Sequence, residues 1–156
     1  MKVNIRPAEK TDGIRMMELI KELALYEKAP EQVTVSFDHF IESGFGEKPV
    51  WWAYVAEVAE PDGNLRVEGF ALFYIRYSTW KGQRMYLEDI IVTEKMRGKG
   101  IGKLLFEKAM EDCKVKGFNG MTWQVLDWNE PAIRFYNKFE GVTLDPEWIN
   151  GSWTSQ

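Results

Sequence analysis

The sequence predicts a mixed α/β fold of the α+β class, in which helices flank one central sheet. Segments with helical spacing of apolar residues and β-rich segments follow one another in mixed order: a strand, two helices, a hairpin, and then β-α-β-α-β. The turn sequence Pro-Asp-Gly separates two β-rich runs, so these runs are expected to pair as antiparallel neighbours. We expect one domain over residues 1–156.

The N-terminal third is expected to hold a short strand and two helices. The strand covers residues 2–6, and Thr11 or Asp12 can cap a helix that runs to about Tyr26. Ser36 caps a second, shorter helix that ends near the segment SGFGEKP. The first helix has an apolar face made of Ile14, Met17, Ile20, Leu23 and Ala24.

The rest of the chain alternates strands and helices. The hairpin strands cover residues 51–58 and 65–77, and a third strand covers residues 84–92. A helix with an apolar face follows a glycine-rich stretch and ends at Gly117. The segment MTWQVL, residues 121–126, is predicted as a further strand.

A short helix is expected near the C-terminal end of the sequence. Asn129 caps this helix, and Pro131 lies in its first turn. The tail GVTLDPEWINGSWTS then offers one or two edge strands.

The composition argues against several classes of function. A net charge of −4 and a pI of about 5.2 argue against nucleic-acid binding, and they are compatible with a small cationic substrate. One cysteine (Cys113) and one histidine (His39) lack the usual ligand set of a zinc site, so no metal is expected. No apolar run reaches the ~18 residues of a membrane span, and we expect a cytoplasmic protein without a membrane partner.

The sequence is rich in aromatic residues, with seven Trp, six Tyr and nine Phe. Most of them are expected in the core. An aromatic subunit interface is the alternative for Trp51, Trp52, Trp148 and Trp153, and it would make the protein a homodimer.

The segment EKMRGKGIGK, residues 94–103, joins a predicted strand to a predicted helix and is typical of an anion-binding turn. The dinucleotide fingerprint would need glycine where Lys103 stands, and a Walker A loop would need Ser or Thr where Leu104 stands. The remaining pattern is R-x-x-G-x-G, from Arg97 to Gly102. A flexible, solvated loop is the alternative interpretation.

This pattern after an apolar strand resembles the acetyl-CoA diphosphate loop of the GNAT superfamily of N-acetyltransferases. The segments LIKELALYE, GFGE, YLEDIIV and WNEPAIRFY occur in this order within residues 2–139 and resemble the diamine (spermidine/spermine) acetyltransferase family. YSTWKG and VLDWN are most similar to its thialysine N-acetyltransferase branch.

The resemblance implies a GNAT fold, whose mostly antiparallel mixed sheet is splayed at the acetyl-CoA site. It also implies direct transfer of an acetyl group from acetyl-CoA to a primary amine of a small cationic acceptor, such as thialysine, a lysine-like amine or a short diamine or polyamine. The alternatives are a protein lysine or N-terminal acetyltransferase and a non-catalytic acyl-CoA-binding sensor.

The resemblance also assigns residues to acetyl-CoA. The strand after the acidic pair, the glycine loop and the last helix would hold it, through Ile90, Ile91, Val92, Arg97, Gly98, Lys99, Gly100, Ile101, Gly102, Lys103, Asn129, Pro131 and Tyr136.

The resemblance implies two catalytic residues, Glu88 and Tyr136. Glu88 and Asp89 lie inside an apolar strand, a costly place for charge, and strand alternation places Tyr86, Glu88 and Ile90 on one face and Asp89 on the other. The alternative is a strand end with exposed carboxylates. By resemblance, Glu88 takes the amine proton, directly or through a water, and Tyr136 donates to the CoA sulfur.

The acceptor site is expected to combine carboxylates with an aromatic face. By resemblance, Glu27, Trp80, Glu88 and Asp89 bind the acceptor. Ser78 stands where the polyamine-selective members carry an aspartate, which favours an acceptor shorter than spermine.

Overall fold

The computed structural model describes residues 1–155, and within them the chain forms one five-stranded sheet and four α-helices. The strands follow the order β1-β2-β3-β4-β5 across the sheet; β4 and β5 are parallel and the other neighbours antiparallel. The mixed sheet confirms the predicted fold class. The strands are β1 (Val3–Pro7), β2 (Trp52–Ala59), β3 (Leu65–Ser78), β4 (Gly82–Val92) and β5 (Met121–Thr122), and the helices are α1 (Gly13–Tyr26), α2 (Phe37–Phe45), α3 (Ile101–Val115) and α4 (Glu130–Asn137).

The described residues divide into two compact units. The first, Met1–Trp123, contains the whole sheet and α1 to α3, and the second begins at Gln124 and contains α4. The single domain over residues 1–156 stays a prediction. No helix in residues 1–155 has the length and apolar character of a membrane-spanning segment.

Local sequence signals explain where several elements begin. The Ser36 hydroxyl accepts a hydrogen bond from the His39 amide at 3.1 Å and caps α2. Asn129 Oδ1 accepts from the Ala132 amide at 3.3 Å and caps α4, as predicted. Asp12 immediately precedes α1, but its carboxylate accepts hydrogen bonds from Arg6 and from the Glu9 amide instead of capping α1.

One face of the sheet packs on α1 and α2. Phe70 and Leu72 of β3 and Ile91 of β4 belong to a buried cluster that includes Met16 and Leu19 of α1. These helices present their apolar sides to this face of the sheet, so apolar residues of both are buried together. This packing places the C-terminal half of α1 near β4.

The opposite face of the sheet packs on α3, where one buried carboxylate links helix to strand. Trp52 Nε1 donates to Asp112 Oδ2 at 2.9 Å, and the Tyr54 hydroxyl donates to Asp112 Oδ1 at 2.8 Å. The Lys116 ammonium lies 3.9 Å from the same carboxylate. Since a buried charge is stable only with such partners, Asp112 fixes α3 on β2.

A β-bulge in β4 breaks its alternation at Glu88. Phe73 pairs with Leu87 and Leu72 pairs with Asp89, so Glu88 is an extra residue opposite β3. β5 pairs with β4 only at Met85 and Tyr86, just before the bulge. Because a bulge bends its strand, β4 turns away from β5 beyond this point, and residues 88–92 have β3 as their only strand neighbour within the described chain.

Two predicted strand segments are shorter or missing. The strand predicted over residues 121–126 has only two residues, because β4 diverges from β5 after Tyr86. The prediction of one or two edge strands in the tail is wrong, because residues 143–155 contain no strand. The tail sequence has strand propensity but finds no pairing partner in the described chain.

Candidate active site

The loop between β4 and α3 has the backbone of an anion-binding turn. A short 3-10 turn, Glu94–Met96, leads into it, and Gly98 and Gly100 have φ values of +75° and +86°. This left-handed region strains any residue with a Cβ. A Cβ placed on either glycine would meet no atom within 4 Å, so the outer side of the loop is open.

The first turn of α3 presents amides that are available to a ligand. The Leu104 amide donates to Gly100 O at 3.2 Å, whereas those of Ile101, Gly102 and Lys103 donate to no backbone carbonyl in residues 1–155. The side chains of Arg97, Lys99 and Lys103 are exposed around this turn. Amides at a helix N-terminus together with basic side chains can bind a diphosphate.

Three carboxylates converge beside the bulge. Glu88 and Asp89 come from β4, and Glu27 directly follows α1. Burial, and then the negative charges of Glu88 and Glu27, raise the pKa of Asp89 to about 7. Burial also raises the pKa of Glu27. A cluster with this much negative charge favours a cation.

The bulge overturns one expectation about this strand. Asp89 pairs with Leu72 and Ile91 pairs with Phe70, so both lie on the side of the sheet that faces α1. Tyr86 pairs with Tyr74 on that same side. The expectation that Asp89 faces away from Tyr86 is therefore wrong.

The same extra residue reverses the position of Ile90. Ile90 pairs with Ala71, on the side of the sheet opposite to Tyr86. The expectation that Ile90 shares a face with Tyr86 and Glu88 is wrong for the same reason, since one extra residue inverts the alternation.

Two tyrosines adjoin the carboxylates: Tyr74, which sequence reasoning missed, and Tyr86, to which it gave no role. The Tyr74 hydroxyl donates to Glu88 Oε1 at 3.3 Å, and the Tyr74 and Tyr86 rings lie 5.0 Å apart. Burial and the Glu88 charge raise the pKa of Tyr74 to about 12. The sequence does contain a signal for this pair. Tyr74 and Tyr86 are equally far from Trp80, and residues equally far from the centre of a hairpin turn pair across its two strands.

The remaining predicted acceptor residue lies apart from the cluster. Trp80, in the β3–β4 turn, is 90% exposed. Gly82 and Glu88 are six positions apart on β4, which corresponds to roughly 20 Å of strand. In the same turn, the Ser78 hydroxyl accepts hydrogen bonds from the amides of Trp80 and Lys81 at 3.2 and 3.1 Å.

The predicted cofactor residues fall on both compact units. Ile91 is buried in the core, whereas Ile90 and Val92 are half-buried on the part of β4 beyond β5. Asn129, Pro131 and Tyr136 belong to the second unit, where Asn129 and Tyr136 are buried and Pro131 lies in the first turn of α4.

Comparison with known proteins gives consistent results. The Acetyltransferase (GNAT) family matches residues 15–141. Thialysine N-epsilon-acetyltransferase of Bos taurus is 43% identical over 138 residues, which cover 86% of this chain and 81% of that protein. The Mus musculus protein of the same name is 42% identical over 153 residues, covering 94% and 89%. Spermidine/spermine N(1)-acetyltransferase-like protein 1 of Homo sapiens is 34% identical over 92% of this chain, but the match covers 21% of that longer protein.

Solved structures share the fold at lower sequence identity. An aminoglycoside acetyltransferase from an uncultured soil metagenomic sample, in complex with sisomicin, has a TM-score of 0.76 at 17% identity, covering 99% of this chain and 97% of that one. A probable acetyltransferase has a TM-score of 0.75 at 21% identity, covering 98% of both chains. These similarities confirm the predicted fold.

Proposed function

Because the chain belongs to the acetyltransferase (GNAT) family and is an N-acetyltransferase, we propose that it transfers the acetyl group of acetyl-CoA to a primary amine of a small cationic acceptor. The observation that carries the choice of acceptor is the cluster of Glu27, Glu88 and Asp89 at the bulge of β4. The names of the relatives, thialysine N-epsilon-acetyltransferase above all, support the same class of acceptor.

The glycine loop fits the diphosphate of acetyl-CoA. The amides of Gly98 to Lys103 would hold it together with the side chains of Arg97, Lys99 and Lys103, since the loop is open and its first helical amides lack backbone acceptors. The edge of Ile90–Val92 would hold the pantetheine arm through backbone hydrogen bonds. When bound, acetyl-CoA supplies a thioester, whose acetyl group is activated by a thiol leaving group.

The carboxylate cluster would bind and orient the acceptor. A protonated second amine of the acceptor would be neutralised by Glu27 and Asp89, and the rings of Tyr74 and Tyr86 would contact its alkyl chain. Occupation by a cation would favour the ionised form of Asp89, because it offsets the charges of Glu27 and Glu88 that raise its pKa.

Glu88 would remove the proton that keeps the acceptor unreactive. An alkyl ammonium has a pKa of about 10.4, so forming the free amine at neutral pH costs roughly 4 kcal/mol. The Glu88 carboxylate would accept this proton, directly or through a water. The role of Tyr136, a hydrogen bond or proton to the CoA sulfur, rests on the motif WNEPAIRFY, as do the contacts of Asn129 and Pro131 with the cofactor.

Ser78 supports an acceptor shorter than spermine. Its hydroxyl accepts hydrogen bonds within the β3–β4 turn, and it offers no negative charge to a distant second ammonium group. The homodimer, the contribution of Trp80 to the acceptor site and the cytoplasmic location stay predictions.

The proposal is tested by measuring release of free CoA thiol with a panel of amines. We expect turnover with thialysine, lysine-like amines and short diamines to exceed that with spermine and with a peptide that offers only its N-terminal amine. Preference for the peptide would contradict the small-acceptor proposal, and preference for spermine would contradict the Ser78 argument. CoA binding without turnover of any amine would indicate a sensor.

Two variants separate chemistry from cofactor binding. We expect Glu88→Gln and Tyr136→Phe to lower kcat by about 100-fold, since each removes a proton-transfer group, while the Kd for CoA changes by less than about twofold. Glu111→Gln, on the exposed side of α3, is the control and should leave kcat unchanged. Equal losses in kcat and CoA affinity would contradict the assigned roles.

A further inference from the structure

We propose that Glu22 of α1 is a positioning residue that holds the β4–α3 connection in the conformation needed to bind the CoA diphosphate. This inference rests on the proposed function of the glycine loop. It concerns a carboxylate that would touch neither the acceptor nor the cofactor, and that acts through the loop.

Glu22 binds the residues that immediately follow β4. Its Oε1 accepts from the Glu94 amide at 2.8 Å, and Oε2 accepts from the Thr93 hydroxyl at 3.0 Å. Thr93 is buried and Glu22 is half-buried. Hydrogen bonds to a carboxylate in such a place are stronger than neutral ones, so they define the start of the connection.

The backbone at this point is held from the other side as well. The Thr93 amide donates to Glu68 O on β3 at 2.9 Å. The Met96 amide then donates to Thr93 O at 2.9 Å and the Arg97 amide donates to Glu94 O at 3.1 Å, which completes the 3-10 turn. Glu22 therefore caps the turn that delivers the chain to Gly98.

A second contact from the same helix lies one turn further along α1. The Arg97 guanidinium lies 4.9 Å from the centre of the Tyr26 ring, and Arg97 Nε donates to Val92 O at 3.1 Å. Residues four apart on a helix share a face, so Glu22 and Tyr26 form one surface along the connection. Glu27, which belongs to the carboxylate cluster, is the next residue after Tyr26 in the chain.

The negative charge of Glu22 and its positioning role should affect CoA binding in opposite directions. A negative charge beside a loop that binds a diphosphate opposes binding by simple electrostatics, so its removal should strengthen binding of CoA. A positioning role predicts the opposite sign. The direction of the change therefore separates the two effects.

The experiment compares Glu22→Gln with Glu18→Gln, which removes an equal charge one turn earlier on α1 at a side chain that is 54% exposed. We expect Glu22→Gln to raise the Kd for CoA and the KM for acetyl-CoA about tenfold, with kcat within about twofold of wild type. Glu18→Gln should leave all three within about twofold. S-acetylpantetheine, which has the thioester but no diphosphate, should show the same kcat/KM with wild type and Glu22→Gln.

Thr93 provides an independent pair of variants. Thr93→Val removes the hydroxyl that donates a hydrogen bond to Glu22, so it should raise the KM for acetyl-CoA. Thr93→Ser keeps this hydroxyl and should have the wild-type KM. Unchanged or tighter CoA binding in Glu22→Gln overturns the inference, as does an equal loss with S-acetylpantetheine. If the wild type itself binds no CoA, the proposed function fails; if only the Glu22 effect is absent, the proposed function stands.

Discussion

At the scale of single residues, Asp89 illustrates how position changes the chemistry of a side chain. The sequence places its carboxyl in an apolar strand, and the extra residue at Glu88 turns it toward α1 and beside two other carboxyls. Burial and these neighbours raise its pKa to about 7, so its charge changes in the range in which the enzyme is expected to work.

Asp89 should make binding of the acceptor depend on pH. We expect the inhibition constant of a quaternary alkylammonium, whose charge does not titrate, to fall severalfold from pH 6 to pH 8 as Asp89 ionises near pH 7. In Asp89→Asn the constant should be higher at pH 8 and independent of pH over this range. A wild-type constant that does not vary between pH 6 and pH 8 would contradict the assignment.

The same shift has the opposite effect on folding. The folded state holds the Asp89 proton more tightly than the unfolded state, so this carboxyl lowers the free energy of unfolding as pH rises from about 4 to about 7. Asp89→Asn should therefore be more stable than wild type at pH 8, by up to about 4 kcal/mol, with the difference shrinking toward pH 4. Urea unfolding at the two pH values measures it.

Ser78 provides a test of acceptor length. An aspartate at this position can still accept the two turn amides, because Asp and Ser both form such turns, and it adds a negative charge. We expect Ser78→Asp to raise the ratio of kcat/KM for spermine over thialysine about tenfold, and the similarly sized but neutral Ser78→Asn to leave it unchanged. An equal rise in both variants would mean that charge is not the cause.

Sequence reasoning about single residues succeeded where the signal was local. Gly98 and Gly100 were predictable as loop residues because only their own backbone matters. Glu22 was missed because its partner amide is 72 positions away in sequence, and no pattern within α1 points to it. The face of Asp89 depended on a bulge that is defined only by pairing with β3.

At the scale of elements, α3 has to stay in place for its first turn to present the glycine loop. Its anchor is Asp112, whose two oxygens accept from Trp52 and Tyr54 of β2. Helix and strand propensities predicted both elements, but not this link between them, because it joins residues 58 and 60 positions apart.

Removal of the Asp112 charge should weaken the attachment of α3. In Asp112→Asn the side-chain oxygen can replace only one of the two carboxylate oxygens, and the side-chain NH2 group then faces the other donor. We therefore expect the free energy of unfolding to fall by about 2 kcal/mol. Glu111→Gln, at a neighbouring side chain that is 63% exposed, should change it by less than about 0.5 kcal/mol. Equal stability of Asp112→Asn and wild type in urea unfolding would contradict this role.

The elements that were mispredicted share one cause. Residues 121–126 and the tail have sequences suited to strands, but a strand exists only where a neighbour pairs with it. β4 offers β5 two paired positions and then bends away. The hairpin of β2 and β3 was predictable because its turn residues and both strands are adjacent in sequence.

At the scale of the whole molecule, a net charge of −4 conceals two regions of opposite sign. The exposed basic residues Arg97, Lys99 and Lys103 follow one end of β4, and the carboxylates of Glu88 and Asp89 lie within the same strand. An anionic donor and a cationic acceptor can therefore be attracted to neighbouring parts of one element. The net charge alone indicated only that the acceptor could be a cation.

The bulge at Glu88 also sets a condition for protein engineering. Each residue from Asp89 to Val92 lies on the face opposite to the one that an unbroken strand would give it. Grafting Glu88 and Asp89 onto a regular strand of another scaffold would aim Asp89 at the wrong layer of side chains. A successful transplant has to carry the inserted backbone residue together with the two carboxylates.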